Sequence, residues 1–110
     1  MITKGVVYKP TLKKIPVDIQ LAVLHTFECS MYEIIRMGKH MEAINIRYMV
    51  VRILRDRNWT VRDIANAMQV TSEAISRAIT RHLEMIDVDY KASYEALMEN
   101  LNPSRRQIIQ

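Results

Sequence analysis

The chain has 110 residues, room for one domain with a buried core and no need of covalent staples. Apolar residues make up 49%, with two glycines, three prolines and one cysteine, which excludes a disulfide framework and argues against a turn-rich β-domain. The net charge of +4 is unevenly spread: residues 1–83 hold 13 basic against seven acidic side chains, and residues 84–110 lean acidic. That is a modest nucleic-acid footprint, weak by itself.

No apolar run approaches the roughly 18 residues of a membrane-spanning helix, and the N-terminus lacks a signal-like apolar block. The lone Cys29 fits a reducing compartment, so the expectation is a soluble cytoplasmic protein of all-α class.

In chain order, residues 1–16 show no helical period but hold four lysines (Lys4, Lys9, Lys13, Lys14) and two prolines. This reads as a flexible basic arm, either a solvated tail or a segment lying along a phosphate backbone. A helix is expected from Asp18 to about Glu28, started by Pro16, with Ile19, Ala22, Val23 and Phe27 inward. Ser30 caps a short second helix to about Met37, burying Met31, Ile34 and Ile35. Arg36, Lys39 and His40 then form a basic loop in which Gly38 supplies left-handed backbone. They suit phosphates or a minor groove, and equally a solvated connection.

Glu42 to Arg57 reads as the longest helix, with Ile46, Met49, Val50, Ile53 and Leu54 at core spacing. Arg47, early in this helix and beside the basic loop, is the best candidate there for a phosphate contact. Trp59 reads as a core plug. The stretch TVRDIANAMQVTSEAISRAITRHL, residues 60–83, reads as two short helices joined by a tight turn. Thr60 caps the first, with Asp63 at capping-box spacing and Ile64, Ala65 and Met68 on one face. Gln69 takes the turn, Val70 is expected to drop into the core, and Thr71 or Ser72 caps the second helix. Ile75, Ala78, Ile79 and Leu83 form its expected inward stripe, and the helix is expected to reach Ile86.

Outward on that second helix stand Ser72, Glu73, Ser76, Arg77, Thr80 and Arg81. Short hydroxyls permit close approach to a groove wall, and arginine forks match guanine edges or phosphates. This is the composition of a helix-turn-helix recognition helix, whose N-terminal residues read bases. Ser72, Glu73, Ser76, Arg77 and Thr80 are assigned to base edges. Arg36, Lys39, His40, Arg47, Thr71 and Arg81 are assigned to phosphates or the minor groove. A last helix over 87–101, with Tyr90, Tyr94, Leu97, Met98 and Leu101 on one stripe, either folds back or pairs with another subunit or a protein partner. The tail from residue 102 is expected to be loose.

Ile19 to Leu83 resembles the C-terminal DNA-binding domain of the bacterial replication initiator DnaA. The residues carrying the likeness are IQLAVLHTF, with an Ile-Gln opening and an aromatic end, MYEIIRM before the basic loop, IRYMVVRIL in the long helix, and RDIANAM. The resemblance implies a helical domain that binds duplex DNA through its second motif helix, with Lys39 and Arg36 standing in the minor-groove loop and Arg47 on the backbone. The family's Asp-His-Thr-Thr opening of the recognition helix is absent here, and the turn is one residue shorter. Fold and docking mode therefore carry over, and the target sequence does not. VRDIANAMQVTSEAISRAI is equally similar to the motif of small bacterial or phage regulators.

No phosphate loop or catalytic constellation accompanies these features, so neither an enzyme nor a cofactor is expected. His25, Cys29 and Glu33 are spaced for ligands or a thiol beside a base, but a structural cysteine and an ordinary histidine explain them as well. The expected function is sequence-specific duplex DNA binding in transcription or replication control. The rival is a protein-interaction module on the same scaffold.

Overall fold

The computed structural model describes residues 14–102, which form six helices and no strand. They are α1 (Val17–Phe27), α2 (Met31–Arg36), α3 (Met41–Asp56), α4 (Val61–Met68), α5 (Ser72–Glu84) and α6 (Val88–Leu101). Most of the arm expected over 1–16, and the tail beyond Asn102, lie outside the described residues.

Four of the six helices start at a side-chain cap. Ser30 accepts from the Glu33 amide at 3.1 Å while the Glu33 carboxylate accepts from the Ser30 amide at 3.1 Å, a reciprocal capping box on α2. Thr60, Thr71 and Asp87 accept from the third amide of α4, α5 and α6 at 3.0, 3.1 and 3.0 Å. Left-handed residues follow the other ends of α1 to α4: Glu28, Gly38, Asn58 and Gln69. After α4, Gln69 has φ 60°, its N–H reaches the Asn66 carbonyl and the Val70 N–H reaches that of Ala65, the double bond of a Schellman stop. Asn58 (φ 68°) closes α3 in the same way, with Trp59 donating to the Leu54 carbonyl. A glutamine thus serves in the turn where glycine is common, at a modest backbone cost.

The core is built on α3, which buries Ala43, Ile46, Met49, Val50, Val51, Ile53 and Leu54. Around it, α5 packs on α3 and α4, α2 packs on α3, and α6 lies along α1. The last helix therefore folds back on its own domain through Tyr90 and Leu97, with Tyr94, Met98 and Leu101 half-buried beside them. The Asn100 amide donates to the Thr26 hydroxyl at 2.7 Å, and Arg57 forks onto the Asp18 carboxylate, tying α1 to the ends of α6 and α3. The ion pair holds the Asp18 carboxyl below its ordinary range, chiefly through the Arg57 hydrogen bond. No helix among the described residues is long and apolar enough to cross a membrane.

Three expectations fail at the α4–α5 corner and its exit. Val70 stays at the surface of the turn, because the stop is held by its backbone N–H rather than by burying its side chain. Leu83 is 66% exposed, and His82 is half-buried instead. At about 100° per residue, position 82 falls back under Ile75 and Ile79 while 83 swings off that face. The helix also ends at Glu84, with Met85 already extended, so Ile86 lies beyond it.

Candidate DNA interface

The outward face of α5 is open. Ser72, Glu73, Ser76, Arg77, Thr80 and Arg81 are all exposed, and α6 covers none of them. Neither arginine has an acid partner among the described residues. Thr71, also exposed, caps α5 by accepting from the Ala74 amide, so the first turn of the helix is fixed. Thr80 spends its hydroxyl hydrogen on the Ser76 carbonyl at 3.3 Å, which leaves its lone pairs facing out.

Arg36, expected in the basic loop, is the last residue of α2; it is exposed, as are Lys39 and His40 of the α2–α3 connection, where Gly38 has φ 63°. Loop and helix border one cleft of about 510 Å³. Gly38 and Arg47 form one wall, Ala74, Arg77 and Arg81 the other, with Tyr48 and Val51 between. Three arginines and no acid line it.

Arg47 corrects an expectation. Its guanidinium does not stand out beside the loop as a free phosphate donor. One terminal nitrogen donates to the Ile34 and Ile35 carbonyls at 3.0 and 3.5 Å, and the other to the Gly38 carbonyl. Burial pushes its pKa down from the ordinary arginine value. These carbonyls belong to the end of α2 and the loop after it, where a helix leaves acceptors without intrahelical partners. Nothing in the spacing of the sequence shows this, because the acceptors are backbone atoms about a dozen residues away.

A polar cluster that sequence reasoning missed ties the far end of α5 to α6. His82 Nδ1 lies 2.7 Å from the Tyr90 hydroxyl, and its ring meets that of Tyr94 edge-on at 4.7 Å. Burial first, then the Arg52 charge, lowers the His82 pKa against a smaller opposite pull from Asp56. Burial also raises both tyrosines. The only sequence signal was a histidine at an inward position of the helix.

Of His25, Cys29 and Glu33, the last two are engaged at the start of α2. Cys29 Sγ lies 3.7 Å from the Glu33 carboxylate, the same group that caps α2, and desolvation and that carboxylate push the thiol pKa up, away from the reactive thiolate. His25 is exposed, and no group of three or more His, Cys, Asp or Glu side chains that could hold a metal occurs among the described residues. No protein-family model, curated protein sequence or solved structure matches this chain.

Proposed function

We propose that α4 and α5 form a helix-turn-helix that docks on duplex DNA, with α5 in the major groove and the α2–α3 loop on the neighbouring backbone or minor groove. The observation that carries this is the exposed face of α5: Arg77 and Arg81 share an acid-free cleft with the Gly38 turn, and Lys39 and His40, exposed, follow Gly38 in the chain. Phosphates favour such a surface, because each neutralised phosphate releases condensed counterions. In this reading Ser72, Glu73, Ser76, Arg77 and Thr80 reach base edges, and Arg36, Lys39, His40, Thr71 and Arg81 serve phosphates. Arg47 leaves the set of direct contacts.

The likeness of residues 19–83 to the DnaA DNA-binding domain, and of the α4–α5 stretch to small bacterial or phage regulators, rests on the residues themselves. A role in transcription or replication control on the nucleoid follows from that likeness. A second reading is favoured by the exposed aliphatic side chains Leu83, Ile86 and Val88 around the α5–α6 join, which suit a protein partner. Salt titration separates the two. Binding to duplex DNA with four to six neutralised phosphates gives a slope of log affinity on log salt of about −3.5 to −5.5. A flat response, or no binding at low salt, favours the protein-partner reading.

A further inference from the structure

The cleft has a fixed width only if something holds the loop that forms one of its walls. Helix α2 is six residues long, too short to persist without support, and its last carbonyls lack intrahelical partners. Arg47 supplies that support from the second turn of α3 through the Ile34, Ile35 and Gly38 carbonyls. From the next turns of the same helix, Tyr48 and Val51 line the cleft floor beside α5. One helix thus grips the loop with one residue and lines the cleft beside α5 with its neighbours.

We propose that Arg47 is a positioning residue: it sets where Arg36, Lys39 and His40 stand relative to α5, and so whether they reach DNA together with it. This rests on the DNA-binding reading above. The planar fork is essential to the role, because two terminal nitrogens must reach carbonyls on either side of the loop's turn. A lysine ammonium offers the same charge from a single point. A direct phosphate contact would tolerate that exchange, and a positioning fork would not.

The test compares Arg47→Lys with Arg47→Ala, each with and without Lys39→Ala, in the full chain. In free protein, amide exchange at Met37 and His40, whose N–H groups bond to the Glu33 and Met37 carbonyls, should quicken roughly tenfold in both Arg47 variants. Amides of α5 should keep their protection. On duplex DNA, Lys39→Ala should flatten the salt slope by about 0.9 in the wild-type background and by almost nothing in the Arg47→Lys background. Loop exchange at the wild-type rate in Arg47→Lys, or an equal Lys39 effect in both backgrounds, overturns the proposal. A wild type that binds no duplex refutes the DNA reading itself, and the exchange at Met37 and His40 still decides whether Arg47 holds the loop.

Discussion

The cap of α5 offers a prediction whose size follows from one hydrogen bond. Thr71 is exposed, and its hydroxyl oxygen accepts from the Ala74 amide at 3.1 Å. Thr71→Ala opens no cavity, so its cost is confined to the lost cap, about 1 kcal/mol within a usual range of about 0.5–2. A domain of this size loses about 4–8 °C of Tm per kcal/mol, so thermal unfolding followed by far-UV circular dichroism should fall by roughly 5 °C. Thr71→Ser keeps the acceptor and should stay within about 1 °C of wild type. Thr60→Ala is the internal control, because Thr60 caps α4 through the same bond to Asp63 at 3.0 Å and should cost a similar amount. The two variants part company in function. Only Thr71→Ala frays the turn that carries Ser72 and Glu73, so only it should weaken DNA binding well below its Tm. Alanine variants at both positions with unchanged Tm would refute the reasoning that these caps fix where the helices begin.

Two further outcomes are expected. Arg77→Ala should cost about 1–3 kcal/mol on a cognate duplex and relax the preference at one base pair, read by competition with single-base variants of the site; unchanged cognate affinity would mean that α5 is turned otherwise in the groove. Acid should weaken the fold through His82, whose pKa is lowered in the native state: the unfolded chain takes up a proton near about pH 6.5 and the native cluster resists it. The stability contributed by neutral His82 is thus complete above that value and is lost as pH falls toward the lower native pKa. Urea midpoints should drop over that window in wild type and less in His82→Gln; identical pH profiles would show that the histidine gains no stability from its site.

Much of this fold was legible in the residues. Ser30, Thr60 and Thr71 mark three helix starts because a short side-chain acceptor before an apolar period has few other uses. Gly38 marks a stop for the equally local reason of its positive φ. The exposed face of α5 follows from helical periodicity once Ile75, Ala78 and Ile79 are placed inward. What was not legible depends on where a side chain ends. Arg47 looked like a free cation beside a basic loop, but the carbonyls that take it up are distant in sequence. Leu83 looked inward because it is apolar, whereas geometry gives the inward place to His82, whose partner Tyr90 stands eight residues on in another helix. Val70 fits the turn through its backbone rather than its side chain. Local rules placed the elements, and non-local polar contacts decided which charges stayed exposed.

The measurement closest to the central claim is a backbone amide chemical-shift map of the labelled protein titrated with duplex DNA. Large shifts are expected over residues 71–81 and 36–40, with the outer face of α6 over 88–101 almost unmoved. Shifts centred on α6 or on the Leu83–Val88 join, with α5 silent, would contradict it.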